Sequence, residues 1–154
     1  MVLEMQDLEK VKAYLGKETG LATVSTTQRD GRVLSSVVNC GVSDHPLTGI
    51  SSVALVSIGK AARITHIRRG SEVTVAIRRG WNWISVTGKA EIVGPDNLPE
   101  GMDSEALRVL LREVYQAAGG VHDDFEEYDR AMAAERRVAV FVTPDRILGN
   151  SPQG

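Results

Sequence analysis

The sequence predicts a mainly β domain with flanking helices. About six antiparallel strands close or nearly close a barrel, one short helix interrupts them, and two or three longer helices lie outside. Three observations predict this. Segments rich in Val, Ile, Thr and Ser recur at 21–27, 32–42, 50–57, 73–78, 81–93 and 137–142. Two pairs of these segments are joined by the tight-turn signals Asp30-Gly31 and Arg79-Gly80, which makes the strands in each pair antiparallel. Apolar residues at helical spacing are confined to the N-terminus, to 60–69 and to the stretch after 103.

Taken in order, residues 4–16 read as a helix, with Met5, Leu8, Val11 and Leu15 on one face and Gly16 and Gly20 as stops. Strands 21–27 and 32–42 form the first hairpin. A loop containing Asp44, His45, Pro46 and Gly49 leads to strand 50–57 and then to the short helix 60–69, which buries Ile64 and Ile67. Val73, Val75 and Ile77 alternate with Thr74, Ala76 and Arg78, the pattern of a half-buried strand, and Arg79-Gly80 turns it into strand 81–93. Pro95, Asp96, Asn97, Pro99 and Gly101 mark a loop. A helix follows, capped by Asp103, with Leu107, Leu110, Leu111 and Val114 as its apolar stripe and Gly119-Gly120 as its end. Asp123, with Glu126 three residues on, reads as a capping box for a second helix that buries Phe125, Tyr128 and Met132. The final strand is 137–142. Pro144 ends or bends it, and the tail from about 149 is expected to be loose.

With 154 residues the chain is expected to be one domain, 1–154, whose core buries about two thirds of the unfolded surface. No apolar run approaches the roughly 20 residues of a membrane span. The acidic N-terminus is unlike a signal peptide, so a cytoplasmic protein without membrane association is expected. The single cysteine, Cys40, excludes an intramolecular disulfide and, without a histidine cluster, leaves no metal pattern. It reads as a small buried hydrophobe.

The net charge of −2 hides a strong polarity. Residues 60–89 carry seven basic residues (Lys60, Arg63, Arg68, Arg69, Arg78, Arg79 and Lys89) against Glu72, a local charge of +6. Residues 91–135 carry twelve acids against three arginines, a local charge of −9. An extended nucleic acid would be repelled by the acidic half, whereas a compact anion suits the basic one. Lys60 and Arg63 are the sharpest candidates. They fall in the first turn of the predicted short helix, where the dipole disfavours a cation by a few tenths of a kcal/mol and free amides favour an anion. Taken singly, Arg68, Arg69, Arg78 and Arg79 read first as an ordinary solvated face.

The order of these elements, with Asp30-Gly31-Arg32 in the first hairpin, Lys60, Arg63 and Ile67-Arg68-Arg69 in the small helix, and Val86-Thr87-Gly88-Lys89-Ala90-Glu91 after it, resembles the split β-barrel flavin-binding superfamily, the pyridoxamine 5'-phosphate oxidase-like group. The stretch from Asp123 to Met132 running into Glu135-Arg136-Arg137-Val138 is similar to actinobacterial deazaflavin-dependent reductases of that superfamily. The likeness covers about residues 8–149. It implies a split β-barrel and a homodimer that holds a phosphorylated flavin or deazaflavin in a groove at the subunit interface. By position, Ser57, Lys60 and Arg63 match the phosphate-binding stretch, and Val37, Val38 and Asn39 match the strand beside the isoalloxazine ring.

Coenzyme F420, with its phosphodiester and oligoglutamate tail, is the cofactor this resemblance implies first, and FMN is the alternative. Arg68, Arg69, Arg78 or Arg79 would hold the tail carboxylates at about 1 kcal/mol per exposed pair; FMN would leave them idle. Trp81, paired with Trp83 along one strand, is either interface packing or a wall of the groove. The implied chemistry is hydride transfer from the reduced deazaflavin to a conjugated small organic substrate. No catalytic residue is evident. His66 lies beside the anion pocket, His45 and His122 show no partner in the sequence, and Tyr115 and Tyr128 fit core stripes. A non-catalytic cofactor, haem or tetrapyrrole binder is a further reading on the same fold.

Overall fold

The structure, a computed structural model, describes residues 4–5 and 7–150, the first two by backbone alone. Its elements run β1 (Glu4–Met5), α1 (Leu8–Gly16), β2 (Leu21–Thr27), β3 (Val33–Asn39), β4 (Gly41–Asp44), β5 (Ser51–Ser57), α2 (Ala62–Arg68), β6 (Val73–Arg79), β7 (Asn82–Gly88), β8 (Ala90–Val93), α3 (Ser104–Ala117), α4 (Phe125–Ala134), β9 (Val138–Val142) and β10 (Arg146–Gly149). A six-stranded antiparallel sheet has the order β1-β10-β7-β6-β2-β3, and a four-stranded one the order β4-β5-β9-β8. The larger strand count than the six expected comes from predicted strands that change sheets partway and from two short strands at the chain ends.

The predicted strand 32–42 breaks at Cys40, which carries the chain from β3 in the first sheet to β4 in the second. The predicted strand 81–93 breaks likewise at Lys89, between β7 and β8. A third crossing, residues 143–145, returns the chain from β9 to β10 beside Lys89: Thr143 N–H donates to the Lys89 carbonyl and Asp145 N–H to that of Thr87. This approach is possible because residue 88 is glycine. A Cβ there would lie 1.8 Å from the Thr143 carbonyl oxygen. These crossings split the barrel into two sheets around one core.

That core joins Val24, Val75, Ile77, Ile84 and Val86 of the first sheet to Val53, Leu55, Val138, Val140 and Val142 of the second. α1 closes one end through Val11, Tyr14 and Leu15, and α2 contributes Ile64 and Ile67. The opposite face of the second sheet, with Ala54, Ala139 and Phe141, packs on the Leu107, Leu110, Leu111 and Val114 stripe of α3. Burial on both faces explains why β9 reads Val-Ala-Val-Phe-Val without alternation.

The chain ends depart from expectation. Residues 4–5 pair as β1 with β10, and the first helix begins only at Leu8, where the Asp7 side chain caps it by accepting from Lys10 N–H. The expected loose tail is ordered through Asn150: Gly149 lies in β10, and Asn150 accepts from Trp83 N–H at 2.8 Å and donates to the Trp81 carbonyl at 2.9 Å. Residues 151–154 lie outside the described residues. The α4 cap is Asp124, one residue later than predicted, accepting from Glu126 and Glu127 N–H. Asp103 caps α3 as expected.

Candidate functional site

β3 is an edge strand, paired on one side only. Its last residues, Val37, Val38 and Asn39, border a groove of about 580 Å³ whose other walls are Val56 of β5, Tyr115 and residues 118–121 after α3, Tyr128 and Met132 of α4, and Arg137. That volume suits a cofactor-sized ligand. The groove exists because β3 and β5 diverge into different sheets while α3 and α4 cover the space between them.

Arg63, Ser57 and Lys60 do not line this groove; Arg63 lies next to it, bonded to Ser36, which precedes the lining residue Val37, and within the electrostatic reach of the lining residue Arg137. Arg63 Nη1 donates to Ser57 Oγ at 3.0 Å and its Nη2 to Ser36 Oγ at 2.9 Å, linking the end of β5 to β3. Nε is sealed and has no partner. No carboxylate pairs with this guanidinium among the described residues. Burial lowers its pKa from the usual arginine value, and Arg137, which lines the groove, lowers it further. Arg137 is itself paired with Glu135, whereas Arg63 is a part-buried cation with no acid of its own, which fits a bound phosphate that would supply the missing charge.

The other predicted residues separate in space. Ser57 is buried and bonded to Arg63, whereas Lys60 is exposed and precedes α2, whose first turn starts at Ala62 rather than near Gly59. Ala61 provides no side-chain cap, so the early amides of this short helix are left without one. Arg68 and Arg69 are exposed at the far end of α2, where Arg69 lies beside Gln28, Arg29 and Asp30 of the β2–β3 turn. Arg78 and Arg79 lie at the opposite end of β2. Arg79 donates to the Tyr14 carbonyl at the end of α1 and to that of Leu21, and pairs with Glu18. β2 spans seven residues, so the two arginine pairs lie about 20 Å apart and form no single patch. Trp81 is 93% exposed in the turn between β6 and β7, outside the strand predicted for it.

Tyr115, Tyr128, Met132 and Arg137, like Val56 and residues 118–121, are groove residues that sequence reasoning did not assign to the site. The tyrosines and Met132 occupied core-like stripe positions; only Arg137, beside Glu135-Arg136, had a charge that offered a signal. The Tyr128 hydroxyl donates to the Leu111 carbonyl at 3.0 Å, and burial pushes its phenol up to about 12. Tyr115 donates to the Val121 carbonyl, with the two rings 4.7 Å apart. Met132 and Arg137 also border a second, mostly apolar cavity of about 420 Å³ reaching Leu98, Leu107 and Leu111. His45 lies away from the groove. Its buried ring accepts from Leu47 and Thr48 N–H at Nδ1, which leaves Nε2–H to donate to Glu91 at 2.8 Å, and so it holds the β4–β5 turn.

No family model matches the chain. Among solved structures, it is similar to a conserved hypothetical protein from Mycobacterium tuberculosis at 20% identity and TM-score 0.65, covering 99% of this chain and 94% of that one. It is similar to a pyridoxamine 5'-phosphate oxidase-related, FMN-binding protein from Nostoc punctiforme at 12% identity and TM-score 0.61, covering 91% and 79%. It is also similar to an F420 reductase at 12% identity and TM-score 0.58, covering 88% and 94%. A haem storage protein from Vibrio cholerae matches at 12% identity and TM-score 0.52, covering 95% and 90%. The fold is therefore a split β-barrel, shared with these structures. No helix among the described residues is long and apolar enough to cross a membrane.

Proposed function

We propose that this protein binds a phosphorylated flavin-type cofactor in the β3 groove, F420 in preference to FMN, and reduces a conjugated small organic substrate. The observation that carries the reading is Arg63, a part-buried guanidinium beside a cofactor-sized groove with no acid to balance it. Ser57, Arg63 and the exposed Lys60 hold the phosphate, while Val37, Val38 and Asn39 lie along the ring system. The bound deazaflavin supplies hydride transfer. The chain binds and orients it and excludes water through Val56, Tyr128 and Met132. The adjoining apolar cavity beyond Met132 offers a surface for the substrate, and the proton comes from solvent. Similarity to an F420 reductase supports the cofactor choice.

The site works as a homodimer, with the groove completed by a second copy. The unpaired edge of β3 supports this, since its outward positions Val33 and Val37 are apolar and 63% and 64% exposed. Of the candidate tail residues, Arg78 and Arg79 lie at the Asn39 end of the sheet, with Trp81 in the turn beside them, while Arg68 and Arg69 lie at the other.

Fluorescence titration with F420 and FMN, at low and moderate salt, tests the reading. Micromolar F420 binding that weakens with salt, with FMN clearly poorer, is expected. Preference for FMN would make this an FMN-dependent oxidase or reductase, in line with its FMN-binding neighbour. Binding of haem and neither flavin would make it a non-catalytic carrier, in line with the haem storage neighbour.

A further inference from the structure

At the end of β3 opposite the groove, the β2–β3 turn and the last turn of α2 border a small cavity of about 280 Å³, lined by Gln28, Arg29, Asp30, His66 and Arg69. His66 is only 8% exposed, and its Nδ1 lies 2.8 Å from Oγ1 of Thr26, itself 2% exposed. The Thr26 hydroxyl has no other partner among the described residues, so with a neutral ring it donates to Nδ1 and the ring hydrogen is on Nε2. In a protonated ring Nε2 carries a hydrogen as well. Nε2 has no partner, yet the only sealed and unpartnered side-chain polar atoms among the described residues are Tyr14 Oη and Arg63 Nε. Nε2 is therefore an open donor on a buried ring that lines the cavity.

The surroundings are cationic. Arg29 and Arg69 are exposed and take part in no ion pair among the described residues. Asp30 is the lining acid, and its carboxylate is already held by Arg32, through Nε at 2.8 Å, Nη2 at 2.7 Å and the backbone N–H at 3.0 Å. The carbonyl end of α2 would repel an anion, but Arg69, Gly70 and Ser71 N–H groups already occupy the carbonyls of Thr65, His66 and Ile67.

We propose that this cavity binds an oxyanion, the carboxylate or phosphate group of a small molecule, between the guanidinium groups of Arg29 and Arg69 with Nε2–H of His66 as the buried third donor. Two planar forks and a ring N–H match such a group in shape and charge. The site is separate from Arg63, which bonds Ser36 farther along β3, and it does not depend on which cofactor fills the groove.

Nitrogen-detected NMR of the histidine rings in the full chain tests this at fixed pH and constant ionic strength, with inorganic phosphate and glutarate as probes. A saturable shift of the His66 resonances is expected, with His45 unmoved. The dissociation constant should rise at least tenfold in Arg29→Ala/Arg69→Ala and stay unchanged in Arg63→Ala. The stronger of the two probes identifies the oxyanion. Both arginines are exposed and take part in no ion pair among the described residues, so the double variant should fold. Absence of a His66 response to either probe overturns the proposal, as does a response of equal strength in the double variant. Loss of the response in Arg63→Ala would merge this cavity with the groove site and refute its separateness.

Discussion

Replacing Arg63 with methionine should weaken cofactor binding while leaving the stability of the cofactor-free protein nearly unchanged. In the free protein, the side chain makes two hydrogen bonds, to Ser57 and Ser36, each worth about 1.5–3 kcal/mol for a charged donor. Against them stand a partly desolvated charge without a carboxylate and a sealed, unpaired Nε, which costs about 1–3 kcal/mol by itself. The direction of the pKa shift agrees: burial holds the guanidinium below its unfolded value, so folding disfavours the charged form across the whole physiological range. The two bonds, about 3–6 kcal/mol together, are offset by the unpaired Nε and by desolvation of the charge, which costs up to several kcal/mol for a buried ion, so the apo protein should change by no more than about 1 kcal/mol. With a cofactor phosphate present, the same cation gains its missing partner. Its loss should then cost about 2–3 kcal/mol, or 30- to 150-fold in affinity, and Lys60→Ala in addition should bring the total to about 2–4 kcal/mol. Urea unfolding of the apo protein and fluorescence titration with F420 measure the two quantities separately. An apo loss of about 3 kcal/mol with unchanged affinity would refute the reasoning and reduce Arg63 to a structural tie between β5 and β3.

Arg78→Glu and Arg79→Glu, adjacent in sequence, should behave differently. Arg79 holds the Tyr14 and Leu21 carbonyls and pairs with Glu18, so its reversal should cost about 1–3 kcal/mol in urea unfolding, whereas Arg78→Glu should stay within about 0.5 kcal/mol. If the F420 tail runs toward this hairpin, Arg78→Glu should weaken F420 more than FMN; equal losses would exclude that path. Gly88→Ala should destabilise by at least about 1–3 kcal/mol, because its Cβ meets the Thr143 carbonyl at the crossing; a wild-type melting temperature would mean that the two crossings do not touch. Burial pushes the Cys40 thiol up to about 12 from an ordinary value near 9. The unfolded chain releases this proton first, so the stability it contributes is full below pH 9 and lost between 9 and 12. Cys40→Ala should flatten that alkaline decline, and native protein at pH 8 should resist iodoacetamide.

Most elements were legible because their signals are local. The Asp30-Gly31 turn, the Val73-Val75-Ile77 alternation and the Asp103 cap each depend on residues a few positions apart, and each stands as read. The crossings were not legible, because nothing in Val38-Asn39-Cys40-Gly41-Val42 marks a change of hydrogen-bond partner. Cys40 is as apolar and buried as a strand residue, and its N–H still bonds, but to the Gly20 carbonyl. Gly88 was a visible clue whose meaning depended on Thr143, far along the chain. The same limit hid β10, whose four residues gain strand character only from β7 and β1 on either side.

Charge was the most misleading of the sequence signals, and the reason is geometric. Residues 60–89 form a helix, two strands and a turn, so cations adjacent in the list are carried to opposite ends of one sheet. What survives is the distinction between cations with and without acids. Arg79 has Glu18, Arg108 and Arg112 share Asp129, and Arg136 has Asp96. Of these pairs only Arg136–Asp96 offsets the −9 of residues 91–135, because Arg108 and Arg112 are already counted in it and Arg79–Glu18 lies outside it, so most of that acidic field remains to repel an extended polyanion. Arg63, Arg29 and Arg69 have no such partner among the described residues, and Arg63 alone of them is partly buried. Burial without compensation makes a cation informative, because an exposed one is balanced by water and salt at little cost. By that criterion the groove beside Arg63 is where an external anion changes the energy of the fold most.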